Sequence, residues 1–361
     1  MKSKVLVAMS GGVDSSVAAA LLSDKGYECI GVTMKLYDNE DVGVSREKTC
    51  CSLSDTEDAR SVAAELGMRY YVLNFKDYFK SAVCDKFISA YENGLTPNPC
   101  IDCNKYLKFD GLYKKAEMLE CDYIATGHYA RIEKDSQSGR YKLKKAVNKN
   151  KDQSYVLYFL TQEQLKHTLF PLGEFDDKSQ VRSFAEKHDL VNSQKHESQD
   201  ICFVPDGDYA AFIKRTTGKD YPCGKFVDES GKILGEHKGI IRYTIGQRKG
   251  LGLALPEPMY VKEKNAENNT VTLAVKKDMK IKSLIAKDFN WLSCPEPNKA
   301  IKVNVKTRYR AREVPAVAEA LPDGSVLITF DEPSEPAAPG QAAVLYDGEY
   351  VIGGGTIVKT L

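Results

Sequence analysis

Short apolar runs alternate with stretches of helical period along the first half of the chain. Val5 to Met9 is an unbroken apolar run that reads as a buried strand, and Ser10-Gly11-Gly12 interrupts it. Val17, Ala18, Leu21 and Leu22 then recur at the spacing of one helix face. Cys29–Met34 predicts a second strand. A polar loop over 38–53 leads to a helix at about 55–66, with Ala59, Val62, Ala63 and Leu66 aligned. Tyr70–Phe75 reads as a strand and 77–92 as a longer helix with Val83, Phe87, Ala90 and Tyr91 on one side. Asn93-Gly94 ends that helix, and Thr96-Pro97-Asn98-Pro99 forbids regular structure. Another helix runs to about Leu119, and Tyr123–Thr126 is a strand ending in Gly127-His128. This alternation predicts an α/β fold with a doubly wound parallel sheet. Ligands of such sheets bind beyond the carboxyl ends of the strands, where Gly11, Met34 and Gly127 all fall.

The pattern changes near residue 205. Short β-like pieces (Lys225–Val227, Ile233–Leu234, Tyr260–Lys262, Thr270–Val275) between glycine-rich turns predict a small mixed domain. From about 281 the chain reads as all β. Ile301, Val303, Val305 and Thr307 alternate with Lys302, Asn304, Lys306 and Arg308 at a period of two. Val326–Phe330, Ala342–Tyr346 and Gly354–Val358 follow at strand spacing, as in a small barrel or sandwich, with 331–340 as a proline-rich loop. The expected domains are 1–204, 205–280 and 281–361.

A net charge of +1 gives no global field for nucleic acid, so RNA binding would rest on local patches. No apolar run is long enough to span a membrane, and the N-terminus enters a strand directly, which points to a cytoplasmic protein with no membrane partner. The ten cysteines are then expected to be mostly thiols. Cys29 and Cys121 read as small buried hydrophobes, and Cys50-Cys51 as an ordinary thiol pair in a polar loop.

Residues 10–16, Ser-Gly-Gly-Val-Asp-Ser-Ser, carry the strongest chemistry. A glycine turn between a strand and a helix N-terminus lets backbone N–H groups approach phosphate oxygens. Ser10, Ser15 and Ser16 add hydroxyls, and Asp14 could orient a metal ion. No Lys-[Ser/Thr] follows the glycines, so this is not a Walker A loop. The segment resembles the pyrophosphate loop of ATP pyrophosphatases, which split ATP between the α and β phosphates and adenylate a substrate oxygen.

Two cysteine segments follow. In Thr96–Phe109, prolines fix a loop and Cys103 lies at or near a helix start, a position that lowers a thiol pKa. In Glu197–Pro205, Cys202 sits in a short apolar run beside acidic and amide residues. SGGVDSS, NPCIDCNKYLKF, ATGHY, NKDQSY, ESQDICF, YTIGQRKGLG, TRYRAR and PGQAAVLYDGE occur in this order over nearly the whole chain. Together they resemble the bacterial and mitochondrial tRNA-specific 2-thiouridylases.

That resemblance implies an adenine nucleotide α-hydrolase-like domain, a small central domain and a C-terminal antiparallel β-barrel. It implies replacement of the C2 oxygen of a tRNA wobble uridine by sulfur, driven by ATP with Mg2+ and supplied by a persulfide donor of a sulfur relay. By the same resemblance, ATP contacts fall on Ala8, Met9, Ser10, Gly11, Gly12, Val13, Asp14, Ser15, Met34 and Gly127, with Asp14 also catalytic. Cys202 would carry the persulfide. Cys103 would be its partner, as acid/base or as the attacker that releases sulfide. Contacts to tRNA would fall on Asn98, Pro99, Cys100, His128, Lys151, Asp152, Gln153, Arg308, Tyr309 and Gln341. Cys100 is a departure, since the better-known pattern has aspartate there. Cys100, Cys103 and Cys202 would also supply three thiolates for a 4Fe-4S cluster, a second reading placed behind the persulfide.

Overall fold

The computed structural model describes residues 2–38, 53–195 and 201–361. Most of the predicted loop at 38–53, with Cys50 and Cys51, lies outside the described residues, as do Glu197–Asp200 of the second cysteine segment. The chain divides into two compact units. One comprises Met1–Val83, Cys100–Gly207 and Glu349–Val351; the other comprises Cys84–Pro99, Asp208–Gly348 and Ile352–Leu361.

The first unit is built on a sheet in which every pairing is parallel, ordered β3-β2-β1-β4-β7. Its strands are β1 (Lys4–Ala8), β2 (Glu28–Lys35), β3 (Arg69–Asn74), β4 (Tyr123–Ala125) and β7 (Thr168–Leu169), with β5 (Ala130–Lys134) and β6 (Tyr141–Lys145) pairing as an antiparallel hairpin between the last two. Chain order leaves β1 toward β2 on one side and returns to β4 on the other, so the carboxyl end of β1 is a switch point. Helix α1 (Val13–Asp24) follows directly, and α2 (Leu53–Glu65) precedes β3. Ala18, Ala19 and Ala20 of α1 are fully buried with Val5 and Val7 of β1. Small side chains let α1 lie close to the sheet, while Ala59, Val62 and Ala63 of α2 complete the same core.

The helix expected over 77–92 is instead Lys76–Phe79 and Asp85–Glu92 joined by a π-helical turn, Lys80–Cys84. The helix expected up to Leu119 is likewise Pro99–Asp102, a π-helical stretch Cys103–Gly111, and Leu112–Met118. Apolar spacing reports a helical face but not the wider turn that inserts one residue per bond. The lysines Lys142, Lys144 and Lys145 lie in strand β6. Lys142 pairs with Asp135 across the hairpin, and Lys144 bonds Glu133 at 3.0 Å.

The second unit holds a mixed sheet ordered β10-β11-β8-β9, from β8 (Gly224–Val227), β9 (Ile233–His237), β10 (Met259–Asn265) and β11 (Thr270–Val275). Strands β12 (Ile281–Trp291), β13 (Ile301–Lys306), β14 (Val314–Ala320), β15 (Val326–Ser334), β16 (Ala342–Asp347) and β17 (Tyr350–Thr360) run in the order 12-15-14-13-16-17. Pairing of β12 with β17 closes them into an antiparallel barrel, which settles the choice against a sandwich. Val303 and Val305 point inward with Leu284, Ala318, Ile328 and Leu345, as the alternation required. The proline-rich loop begins later than expected. Strand β15 continues to Ser334 because a register shift places 330–333 between the pairs Ser283–Thr329 and Ile281–Ser334. Pro333 is tolerated there because the irregular ladder asks no N–H of it.

Candidate active site

The glycine loop leaves β1 at Met9, whose N–H donates to Val32 O at 2.8 Å, while the Thr33 hydroxyl donates to Met9 O at 2.6 Å. The strand end is therefore fixed from β2 before the turn starts. Gly11 has φ +76°, and a Cβ built on it would stand 2.2 Å from the carbonyl oxygen of Asp55. Only glycine fits that turn against α2. Gly12 caps α1 in an extended conformation without a side-chain bond, which leaves the first helical N–H groups facing the turn. The Ser15 hydroxyl donates to Gly12 O at 3.0 Å and accepts from Ser10 N–H at 3.1 Å, so the loop is closed on itself. Gly127, beyond β4, lies where a Cβ would be 2.9 Å from the Ser15 nitrogen. Met34, near the end of β2, is half-buried. The sequence-predicted nucleotide residues from Ala8 to Ser15, with Met34 and Gly127, thus gather at the carboxyl ends of β1, β2 and β4.

Asp14 is not an open carboxylate. Its Oδ1 accepts from the Tyr129 hydroxyl at 2.7 Å and is ion-paired with the Lys178 ammonium, which also reaches the Tyr129 oxygen at 3.2 Å. Asn192 is buried and donates from Nδ2 to Gly11 O and to Ser16 Oγ, both at 2.9 Å. Lys195 pairs with Asp55 at 2.5 Å and with Asp58. Sequence reasoning missed Lys178, Asn192 and Lys195. Lys178 left a usable signal: it is the first residue of the helix Lys178–Lys187, where the helix dipole disfavours a cation.

His128 is buried, with Nδ1 2.7 Å from the Thr126 hydroxyl and its ring among Phe109 and Phe170. Burial, reinforced by the Lys108 charge, holds it well below the ordinary histidine range, so the ring is neutral at physiological pH.

The cysteines require two corrections. Cys103 is the fifth residue of a continuous helical stretch that starts at Pro99, not a residue at a helix start. Burial pushes its thiol up to about 11, against the Lys108 charge, with Cys100 and Asp102 adding to the rise. The expected lowering by a helix N-terminus is therefore reversed, because desolvation of the thiolate outweighs the nearby cation. Further, among the described residues no three His, Cys, Asp or Glu side chains are grouped as a metal site. Among the described residues Cys100, Cys103 and Cys202 are not gathered into such a group. Cys202 lies on a turn that closes from Val204 N–H to Ile201 O at 2.8 Å. Tyr37 donates to the Cys202 carbonyl at 2.8 Å, and Phe203 is buried edge-on to Phe79.

Several residues expected to meet tRNA are engaged by their own fold. Asp152 accepts from Ala146 N–H, Ser154 N–H and the Ser154 hydroxyl. Gln153 Oε1 accepts from Tyr129 N–H at 2.9 Å. Lys151 is half-buried in the same turn. In the second unit, Arg308 donates to Ile245 O and Pro336 O, whereas Tyr309 is exposed. Gln341 Nε2 donates to Thr96 O at 2.9 Å and Pro97 O at 3.2 Å, holding the backbone that leads to Asn98 and Pro99. Cys100 is exposed.

The family profile described as "tRNA methyl transferase HUP domain" matches residues 3–206, the "PRC-barrel domain" of the same series matches 210–275, and an "Aminomethyltransferase beta-barrel domain" matches 281–357. Among curated proteins, the chain is 52% identical to "tRNA-specific 2-thiouridylase MnmA" of Clostridioides difficile, covering 100% of this chain and 99% of that one. It is also 52% identical to the protein of the same name from Acetivibrio thermocellus, over 99% of both chains.

Proposed function

The chain belongs to the tRNA-specific 2-thiouridylase family, and we propose that it uses ATP to adenylate the C2 oxygen of a tRNA wobble uridine and then replaces that oxygen with sulfur. The observation that carries this reading is the preformed glycine loop at the switch point. The N–H groups of the first turn of α1 suit phosphate oxygens, and glycine at 11 and 127 lets the loop pack against Asp55 and Ser15, where a Cβ would collide with backbone. The family profiles speak of methyl transfer, but a methyl donor needs no pyrophosphate loop. ATP with Mg2+ is the fitting co-substrate, and Asp14 is the carboxylate that would hold the metal once it parts from Lys178. Three domains divided near residues 204 and 280 would share the work, the first carrying the chemistry.

The uracil C2 oxygen is a poor leaving group until its attack on the α-phosphorus makes it the bridging oxygen of AMP, with pyrophosphate expelled. The outer sulfur of a persulfide on Cys202, loaded by a donor protein, then attacks C2 and expels AMP, and attack of the Cys103 sulfur on the Cys202 sulfur breaks the S–S bond to leave 2-thiouridine and a Cys103–Cys202 disulfide. Cys103, held as a neutral thiol by burial, is suited to give a proton before tRNA binds. Acting as an attacker would require its deprotonation within the complex. Met34 and Gly127 would flank the adenosine. Lys151, Asp152, Gln153, His128, Arg308, Tyr309 and Gln341 would serve tRNA in part by shaping loops, because several of their side chains are tied to backbone. No helix of the described residues is long and apolar enough to cross a membrane.

The test is an incubation of the full chain with ATP, unmodified tRNA and a persulfide donor, with nucleotides and nucleosides measured by mass spectrometry. AMP, pyrophosphate and 2-thiouridine are expected together. Cys202→Ser should lose both protein-bound persulfide and thiolation, and Cys103→Ser should lose thiolation while keeping the persulfide. Release of ADP and phosphate, or thiolation by Cys202→Ser, would refute the proposal.

A further inference from the structure

We infer that Lys178 is a pyrophosphate ligand of this site, paired with Asp14 in the nucleotide-free chain and transferred to the β and γ phosphates when ATP reacts. The inference rests on the adenylation reading above. Three observations carry it. Lys178 reaches the helix end of the loop, because its partner Asp14 is the second residue of α1, within one turn of Gly11 and Gly12. Its side chain is only 16% exposed, and the ammonium lies 5.6 Å from the centre of the Tyr129 ring, with the Tyr129 hydroxyl bridging it to Asp14. Finally, it stands at the first position of a ten-residue helix whose N-cap is Asp177, where a cation opposes the helix dipole and its usual place is taken by an acid. A local rule broken at a ligand site indicates function rather than stability.

Charge accounts for the exchange. The loop's own donors are neutral N–H and O–H groups, and Asp14 brings a negative charge to the place where a triphosphate must sit. A triphosphate beside an ionised carboxylate is repelled unless a cation comes with it. Lys178 is already there, on a flexible stem with three donors that can change partner without moving the backbone. When the uridine O2–P bond forms and the bond between Pα and the bridging oxygen breaks, the electron pair goes to pyrophosphate. The ammonium stabilises that growing charge and transfers no proton. The exchange also leaves Asp14 free to face the metal that accompanies ATP. Lys195 is held by two carboxylates, Asp55 and Asp58, and stays a brace for α2.

The test uses the full chain and two substitutions, Lys178→Met and Lys178→Arg, with inorganic pyrophosphate as the probe. Lys178→Met should weaken pyrophosphate binding in calorimetry at least about tenfold. It should slow single-turnover pyrophosphate release by about 10²–10³-fold at saturating ATP, the usual loss when a donor to developing charge is removed. Lys178→Arg should recover most of the binding, which a purely structural role in packing against Tyr129 would not produce. In the unsubstituted chain, pyrophosphate should protect Lys178 but not Lys195 from amine acylation, read by peptide mass spectrometry. This footprint needs no variant to fold. Unchanged pyrophosphate affinity in Lys178→Met, or no protection of Lys178, overturns the inference even if AMP is formed. ADP formation by the unsubstituted chain instead overturns the adenylation reading.

Discussion

At the phosphate loop, Gly11 lies against the Asp55 backbone, Ser15 bridges Ser10 and Gly12, and Asn192 fixes the Gly11 carbonyl. At the cysteine segments, Cys103 is half-buried in a π-helical stretch with its thiol held protonated, and Cys202 rides on a turn anchored by its carbonyl. The loop presents backbone donors whose state does not change with pH. Cys103 presents a side chain whose reactive form its surroundings suppress. A phosphate site must wait ready for a diffusing nucleotide, whereas a reactive sulfur is better kept quiet until the substrate base arrives.

The sharpest way to break this comparison is Gly11→Ala. The added methyl group would meet Asp55 O at 2.2 Å in a residue already at φ +76°. The loop must shift, and a misplacement of about 1 Å costs on the order of 10² in rate. We expect tRNA-dependent pyrophosphate release to fall by at least about that factor, while Cys202 still accepts sulfur from the donor. Full ATP turnover by this variant would show that the loop is not preformed.

The cysteine half of the comparison is tested by pH. A thiol at about 11 is on the order of one part in a thousand thiolate at pH 8. Alkylation of Cys103 by iodoacetamide, followed by peptide mapping without tRNA, should be on the order of a hundredfold slower than for an ordinary cysteine thiol. Because the folded value is raised, the rate should climb about tenfold per pH unit and level off only near 11. A plateau near pH 8.5 would remove the suppression argument. His128 shifts the other way. Its folded value is depressed, so its neutral form stabilises the fold above the unfolded value near ~6.5, and stability is lost as pH falls below that value toward the folded one. Thermal melts between pH 7 and 5 should show that decline, and His128→Gln should flatten it.

The same contrast explains what could be read from the chain alone. The loop was legible because strand, glycines and helix period lie within a dozen consecutive residues and each depends on local backbone rules. The closed barrel was half legible: β13 alternates cleanly, but β14, with Pro315, Ala316, Ala318 and Ala320, has weak strand propensity and owes its place to pairing with β13 and β15. Asn192 was invisible as a site residue because it approaches Gly11 from 181 positions away, and Lys178, 164 positions from Asp14, left only the cation misplaced at its helix start. The thiol of Cys103 was misjudged for a related reason. Helix position can be read from sequence, but desolvation depends on what the rest of the unit packs around it.

The smallest expected effect comes from a residue at the edge of the comparison. Gln341 was carried over as a tRNA contact, yet its amide donates to Thr96 O and Pro97 O, while Thr96 N–H donates to Pro339 O at 2.9 Å. The turn at Gly340, with φ +93°, brings the two segments so close that a Cβ would stand 3.0 Å from the Thr96 nitrogen. The Pro-Gly-Gln motif therefore acts as a clamp on the chain entering Asn98-Pro99, just ahead of Cys100. Gln341→Ala removes two side-chain bonds but leaves the Thr96–Pro339 backbone bond, so the loop should loosen without unfolding, at a cost of about 0.5–1.5 kcal/mol per bond. If the clamp reading is right, tRNA KM should rise roughly three- to tenfold, following that bond energy, with ATP affinity and Cys202 persulfide loading unchanged. A direct contact with tRNA would give a similar rise, so the deciding measurement is made without tRNA. Hydrogen exchange at the Thr96 and Asn98 amides should accelerate in Gln341→Ala if the residue is a clamp, and stay the same if it meets only the RNA.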